Sequence, residues 1–167
     1  MVSLSCLLAY KSPHLQHHEE KLRLLLDETK WRDELTSLHI SSIESKDRHQ
    51  LVDVIVRLLY GLMLEKKGRS RGSDRRAAVL MALAGCTDQE LSLLVDLMLN
   101  PMGSGSTARQ DGPFSLHQVS SNVSFKQQTG FLTLLGDVLK NLGSRLTAYW
   151  PALNAAQRTE LCCVIMS

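Results

Sequence analysis

One stretch of this chain restricts its fold more than any other, and it covers residues 47–66. Apart from Asp53, Arg57 and Gly61, residues 51–64 are all apolar. Those three exceptions are spaced four apart, so on a helix they form a single narrow polar stripe. A helix that is apolar around most of its circumference must be covered on more than one side. The stretch therefore predicts an inner helix that packs between neighbouring helices.

Helical periodicity extends beyond this stretch. The chain has 167 residues, of which 44 % are apolar but only 5 % are aromatic, and leucine supplies most of the expected core. Strands draw on β-branched and aromatic residues, so this composition favours packed helices. Apolar residues recur every three to four positions in about seven predicted helices, at 2–10, 16–28, 47–66, 74–84, 88–99, 126–142 and 155–166, with a weaker one at 31–38.

Successive helices with apolar residues on two sides are typical of stacked helix pairs. We therefore predict an all-α fold, a HEAT-like α-solenoid segment of about seven helices, with a compact helical bundle as the alternative. Residues 1–102 form one predicted helical-repeat segment, and residues 126–167 form a second that is truncated at its C-terminus. Residues 103–125, rich in Gly and Ser and without helical periodicity, are predicted to be a flexible loop.

The start of one helix is marked by a specific signal. Thr87 is followed three positions later by Glu90, directly before a leucine-rich run. This spacing predicts a capping box, in which each side chain accepts a hydrogen bond from the backbone amide of the other residue.

The positive charge of the chain is concentrated in a basic segment, residues 65–76. Its sequence EKKGRSRGSDRR contains six Lys or Arg and two acidic residues, whereas the net charge of the whole chain is +2. We predict an inter-helix loop; charge runs are usually solvated, and the functional candidate is that its cations lie along an RNA phosphate backbone, which would give affinity without sequence readout. A solvated loop without a ligand is the alternative, since no aromatic residue interrupts the charges. The candidate RNA-contacting residues are Lys66, Lys67, Arg69, Arg71, Arg75 and Arg76.

No motif in the sequence predicts catalysis, a cofactor or a metal. His14 and His18 have a workable spacing for metal ligands, but no third ligand recurs nearby, so a polar helix start is the better interpretation. There is no GxSxG motif and no GxxxxGK[ST] loop. Four cysteines form no CxxC pair, which indicates reduced thiols. We predict a protein that is not an enzyme and has no cofactor, small-molecule substrate or membrane span.

Four stretches, taken together, resemble one protein family. They are CLLAYKSPHLQHHEEKLRLLLDETKWRDEL at 6–35, RHQLVDVIVRLLYGLMLEKKG at 48–68, RRAAVLMALAGC at 75–86 and LTLLGDVLKNLGSRLTAYWPAL at 132–153. In order and spacing they resemble the down-regulated-in-metastasis family, the twentieth U-three small nucleolar RNA-associated protein of the small-subunit processome. No single motif is diagnostic, and the resemblance excludes roughly residues 103–125.

The resemblance implies a role as well as a fold. It implies a HEAT-like solenoid in the nucleolus, a non-catalytic scaffold for ribosomal RNA processing and small-subunit biogenesis, and a chain that is a fragment of a longer protein. The implied partners are other ribosome-assembly proteins and pre-ribosomal RNA or small nucleolar ribonucleoprotein. A generic HEAT- or armadillo-like adaptor that binds only protein is the alternative.

Overall fold

The computed structural model describes residues 2–9, 12–64, 69–100 and 125–154, and these ranges contain helices and turns but no strand. The prediction of an all-α fold is therefore confirmed for this part of the chain. We number eight α-helices in chain order: α1 Val2–Ala9, α2 Pro13–Gln16, α3 Glu19–Leu25, α4 Trp31–Ser37, α5 Ser45–Leu64, α6 Arg69–Leu83, α7 Asp88–Leu99 and α8 Phe125–Leu142. Residues 150–154, at the end of the last range, are also helical.

The chain divides into two compact units, residues 1–86 and residues 87–167. The predicted boundaries near residues 102 and 126 and the stacking of a solenoid both stay predictions. Most of the predicted flexible loop lies outside the described residues, but its last member, Phe125, is the first residue of α8. The predicted helix at 155–166 also lies outside the described part of the chain.

Helix α5 is the inner helix that the apolar stretch predicts. Within the first unit it packs against α2 and α6. Its polar stripe faces outward: Arg57 and Gly61 are exposed and Asp53 is half-buried. The buried side chains of α5 are Leu51, Val52, Ile55, Val56, Leu59, Leu62 and Met63, each at most 4 % exposed.

The helix predicted at 16–28 is wrong at both ends, because α2 ends at Gln16, turns follow at His17 and His18, and α3 covers only Glu19–Leu25. Pro13 occupies the start of α2, where its missing N–H costs nothing. Helix α3 ends before Asp27, whose Oδ1 accepts hydrogen bonds from the backbone amides of Thr29 at 2.8 Å and Lys30 at 3.2 Å. This side-chain acceptor replaces helical backbone partners and turns the chain into α4.

Two consecutive inverse γ-turns lead out of α4. The amide of His39 donates to the Ser37 carbonyl at 3.0 Å, and the amide of Ile40 donates to the Leu38 carbonyl at 3.1 Å. The backbone angles agree, with φ −78° and ψ 87° at Leu38 and φ −84° and ψ 83° at His39. These tight turns place Leu38 and His39 on a short exposed ridge before the 3-10 turn Ile40–Ser42.

That 3-10 turn is held from two sides. Arg48 of α5 donates from Nη1 to the Ile40 carbonyl at 2.7 Å. At the end of α6, a Cβ on Gly85 would lie 3.3 Å from both the Ile40 Cβ and the Ser41 amide nitrogen. The close approach explains why glycine stands there, and the buried Ile40 side chain anchors the turn to the core.

The second unit begins with the predicted capping box, which is confirmed. The Thr87 amide donates to Glu90 Oε2 at 2.7 Å, and the Glu90 amide donates to Thr87 Oγ1 at 3.3 Å. Arg145 and Tyr149, which follow α8, both reach Asp88 at the start of α7: Arg145 Nη2 lies 2.8 Å from Asp88 Oδ1, and the Tyr149 hydroxyl donates to the Asp88 carbonyl at 3.1 Å. These contacts fix the end of α8 to the start of α7.

Candidate nucleic-acid interface

The basic segment is not the loop that its charge predicts. From Arg69 onward it is the beginning of α6, so Arg69, Arg71, Arg75 and Arg76 all stand on a helix. Arginine is a good helix former, and one internal glycine costs only about 1 kcal/mol, which tertiary contacts can offset. Lys66 and Lys67 lie outside the described residues. For Arg69 and Arg71 only the helical backbone is described.

Arg75 is buried against an aromatic ring. Its side chain is 9 % exposed, and its guanidinium carbon lies 4.6 Å from the centre of the Trp31 ring. The guanidinium carbon of Arg32 also lies near this ring, at 5.5 Å. A cation over the face of tryptophan is attracted by the negative face of the ring, more strongly where water is excluded. Arg75 therefore joins α6 to α4 and is not presented to solvent.

Arg76 is also in contact with the protein. Its Nε donates to the Met63 carbonyl at 3.2 Å in a partly buried hydrogen bond. This carbonyl belongs to the last described turn of α5, and the carbonyls near the end of a helix readily accept hydrogen bonds from side chains. A positive charge there also complements the negative end of the helix dipole. Arg76 thus completes the C-terminal end of α5 from the neighbouring helix.

A different group of basic residues surrounds a cavity in the first unit. This cavity, which we call the α3–α5 cavity, has a volume of about 530 Å³ and lies between α3, residues 37–44 and α5. Its polar edge includes Lys21 and Glu44, both exposed, and three histidines. Its apolar lining consists of Leu22, Leu25, Leu38, Ile43, Leu51 and Ile55.

Local backbone structure places the three histidines at this edge. His17 and His18 occupy the break between α2 and α3, and Lys21 follows one helical turn later. His39 reaches the cavity from the γ-turns on the opposite side. The sequence correctly places His17 and His18 at the polar start of a helix, but it does not predict the cavity beside them. No signal in the sequence brings His39 near them, because the two segments are joined only through α3, α4 and their turns.

A smaller cavity of about 330 Å³ lies beside the same ridge. Leu38 and His39 contribute to both cavities, whereas Ala78 and Met81 of α6 line only the smaller one. Met81 is 73 % exposed. The lining of the smaller cavity contains no Lys or Arg, so it has no cation for a phosphate group, whereas the α3–α5 cavity has Lys21.

The groups with shifted pKa values lie away from both cavities. The hydroxyl and backbone amide of Thr29 hydrogen-bond to Asp27 and lower the pKa of that carboxyl below its ordinary value of 3.8. Burial raises the pKa of the Tyr60 phenol above 10.0. Neither shift creates an acid or base inside a cavity.

The remaining features to place are the cysteines, possible metal ligands and possible membrane spans. Cys86 is buried and is not in a disulfide; the side chain of Cys6 and both Cys162 and Cys163 lie outside the described part of the chain. Over the described ranges, no three His, Cys, Asp or Glu side chains are grouped as metal ligands would be. Within those same ranges, no helix is both long enough and apolar enough to cross a bilayer.

The described part of the chain is all-helical and contains a cavity edged by three imidazoles and one lysine. Comparison with known proteins identifies the family more closely. Residues 1–165 match the family model described as U3 small nucleolar RNA-associated protein 20, N-terminal, and the chain belongs to that family. The resemblance stated from the sequence motifs is thereby confirmed.

Two curated relatives show the extent of the similarity. U3 small nucleolar RNA-associated protein 20 of Schizosaccharomyces pombe is 33 % identical over 160 residues, which cover 90 % of this chain and 6 % of the relative. The protein of the same name from Saccharomyces cerevisiae is 24 % identical over 152 residues, which cover 84 % of this chain and 6 % of the relative. The chain therefore spans about 6 % of the length of these two relatives.

Proposed function

We propose that this chain is a non-catalytic scaffold segment of the small-subunit processome and acts in ribosomal RNA processing and small-subunit biogenesis in the nucleolus. The observation that carries the proposal is the family match over residues 1–165. The relatives are named for their association with U3 small nucleolar RNA. Other ribosome-assembly proteins and pre-ribosomal RNA or small nucleolar ribonucleoprotein are the proposed partners.

The proposed mechanism is geometric. Stacked helices bury a leucine-rich core and leave extended faces to bind neighbours, as in HEAT-like repeats. The burial of α5 along most of its circumference supports this, because such a helix serves the core while shorter helices around it form the surface. Function then depends on which side chains the outer helices present.

Within this function, we assign two roles to the basic segment. Lys66, Lys67, Arg69 and Arg71 contact RNA phosphates, and Arg75 and Arg76 hold α6, the helix that carries Arg69 and Arg71. The second role is supported by the contacts of Arg75 with the Trp31 ring and of Arg76 with the Met63 carbonyl. Of the six basic residues, four therefore bind RNA, and the other two, Arg75 and Arg76, position α6.

The processome role is tested in cells whose endogenous protein is depleted and replaced by the full-length protein with or without residues 1–167. Without them, we expect less U3 small nucleolar RNA to co-purify with the protein and unprocessed pre-ribosomal RNA to accumulate. Co-purified RNA and pre-ribosomal RNA intermediates are measured by hybridisation. Normal recovery of both RNAs after the deletion would contradict the proposal.

Phosphate contact is tested by replacing Lys66, Lys67, Arg69 and Arg71 with Gln and measuring RNA binding at several salt concentrations. For four contacts to a single strand, we expect the slope of log affinity against log salt to become shallower by about 3. The matched control replaces four exposed cations elsewhere, Lys30, Lys46, Arg57 and Lys140, with Gln. If the chain is an adaptor that binds only protein, the two variants should show equal slopes. That result would show that the basic segment does not bind RNA.

A further inference from the structure

We propose that the α3–α5 cavity binds one unstacked base of single-stranded RNA, with His39 stacking on the base and Lys21 binding the adjoining phosphate. The inference rests on the proposed function, in which RNA is a partner, and it names a second and more selective RNA site. It is carried by the presence of three imidazoles and a lysine at the edge of an apolar cavity.

The cavity has suitable dimensions and floor. Its volume of about 530 Å³ falls within the roughly 300–1,000 Å³ that ordinary ligand pockets occupy. Leu22, Leu25 and Ile55 support it from the fixed core and are at most 1 % exposed, so the apolar surface that a base can contact comes from the half-buried Leu38 and Ile43. A nucleobase has apolar faces and polar edges, and an apolar floor with a polar rim matches that division.

The rim supplies both stacking surfaces and hydrogen-bonding groups. An imidazole ring can stack on a base, and it can also donate and accept hydrogen bonds. The hydroxyls of Ser37 and Ser42 donate to the carbonyls of Glu34 and His39 and so retain lone pairs as acceptors. A base edge therefore meets donors and acceptors together, which a purely apolar groove would not provide.

The charges favour RNA over an acidic peptide. Lys21 is the one Lys or Arg of the lining, and Glu44 lies on the same rim, so the rim suits a ligand with a single anionic group and disfavours a peptide that carries several carboxylates. A nucleotide needs only one cation for its phosphate, while its base uses the imidazoles. Duplex RNA keeps its bases stacked and paired, so it cannot insert one into the cavity.

His39 is held in place before any ligand arrives. The two γ-turns fix its backbone, and the Ile40 that follows is buried and accepts a hydrogen bond from Arg48. Because the backbone is already ordered, stacking restricts only the side-chain torsions of His39, which lowers the entropic cost of binding.

The experiment measures binding of fluorescein-labelled nine-nucleotide oligouridine and oligoadenine, and of a duplex of equal length, to the full chain by fluorescence anisotropy. We expect the single strands to bind more tightly than the duplex. His39→Ala should weaken single-strand binding about ten-fold with the salt slope unchanged, and His39→Phe should retain it because the ring still stacks. Lys21→Gln should make the salt slope shallower by about 0.7, the value for one phosphate.

Two matched controls lie outside the cavity: His49→Ala and Lys46→Gln replace an exposed imidazole and an exposed ammonium of α5. Circular dichroism during heating verifies that each variant is folded. Equal binding of single strands and duplex would overturn the inference, as would wild-type affinity in both His39→Ala and Lys21→Gln, or His39→Phe binding no better than His39→Ala. An acidic leucine-containing peptide that requires His39 while RNA does not would also overturn it.

The outcome is separable from the proposed function. Loss of the cavity site leaves U3 small nucleolar RNA co-purification and pre-ribosomal RNA processing to be measured independently. Conversely, the deletion could leave both cellular RNA measurements normal while the chain still binds oligonucleotides through the cavity. That result would contradict the processome role but not the base-binding site. The variant with Gln at Lys66, Lys67, Arg69 and Arg71 distinguishes the two RNA sites, because it should still prefer single strands over duplex.

Discussion

The packed face of α6 and the rim of the α3–α5 cavity both carry basic residues, but they differ in what those residues contact. On α6, Arg75 lies over the Trp31 ring and Arg76 donates to a carbonyl of α5. At the rim of the α3–α5 cavity, Lys21 and His39 are exposed. The first pair stabilises the fold, whereas the second pair is available to a ligand.

This difference shows that a run of charges does not reveal which cations can bind a partner. Arginine has a long apolar stem and a planar head, so it can be buried where an aromatic face or a carbonyl receives it. Trp31 and the C-terminal end of α5 provide those receivers for Arg75 and Arg76. Lys21 and His39 are isolated in the sequence, and only the fold brings them to one cavity.

The largest effect is expected from Leu59, because α5 supports both regions. Leu59 is fully buried, and large-to-small changes in a core typically cost about 2–5 kcal/mol. We expect Leu59→Ala to lower the free energy of unfolding by that amount and to weaken RNA binding at both proposed sites. Urea denaturation measures the first effect. The control Arg57→Ala, on the exposed stripe of the same helix, should change stability by less than about 0.5 kcal/mol. Similar losses in the two variants would contradict the inner position of α5.

The contact between Arg75 and Trp31 should give the next largest effect. Arg75→Met keeps an apolar stem but removes the cation, so we expect a loss of about 1–2 kcal/mol in the free energy of unfolding. A double-mutant cycle with Trp31→Leu isolates the pair, and the two losses should be less than additive. Additive losses would mean that the ring and the guanidinium do not interact, and the contact between Arg75 and Trp31 would then not explain how α6 is held.

Arg76 should matter somewhat less. Arg76→Ala removes one partly buried hydrogen bond to the Met63 carbonyl, for which we expect a loss of about 1 kcal/mol. Its matched control is Arg23→Ala, which removes an exposed ion pair with Glu19 and should cost about 0.5 kcal/mol or less. Thermal unfolding of the two variants gives the comparison. A loss for Arg76→Ala no larger than for Arg23→Ala would show that α5 does not depend on this contact.

A smaller effect is expected from the turn that joins the two regions, between α3 of the cavity rim and α4 of the packed face. The hydrogen bonds from Thr29 lower the pKa of Asp27 in the folded state, so its stabilisation is complete above pH 3.8 and is lost as the pH falls through the lowered value. Asp27→Asn should therefore be slightly less stable at neutral pH and should show a weaker decrease in stability on acidification. Denaturation curves measured from pH 5 to pH 2 test this, and an unchanged acid profile would contradict the role of Asp27.

Features set by local spacing were predictable from the sequence. The capping box at Thr87 and Glu90, the outward stripe of α5 and the end of α8 before Gly143 each depend on residues within a few positions of one another. Local sequence spacing is sufficient to predict such features, because residues a few positions apart on a helix are always close together in space.

Features that depend on tertiary contacts were not predictable. The sequence predicts one helix that begins at residue 16, whereas the structure has a short helix, α2, before His17 and His18 and begins α3 only at Glu19. The start of α6 at Arg69 depends on contacts of its second turn with α4 and α5, and periodicity does not show them. The α3–α5 cavity was missed for the same reason, since its edge joins segments that are distant along the chain.

The smallest effect on stability is expected at the cavity rim, and this sharpens the distinction between the two regions. Lys21 and His39 are exposed, and substitutions at exposed positions usually change stability by less than about 0.5 kcal/mol. The double variant Lys21→Ala with His39→Ala should therefore unfold at nearly the wild-type urea concentration while losing single-strand RNA binding. Arg75→Met should do the opposite, with lower stability and binding that persists in the folded fraction. If the rim variant instead unfolded as easily as Arg75→Met, its residues would belong to the packed structure, and their loss of binding would no longer indicate a ligand site.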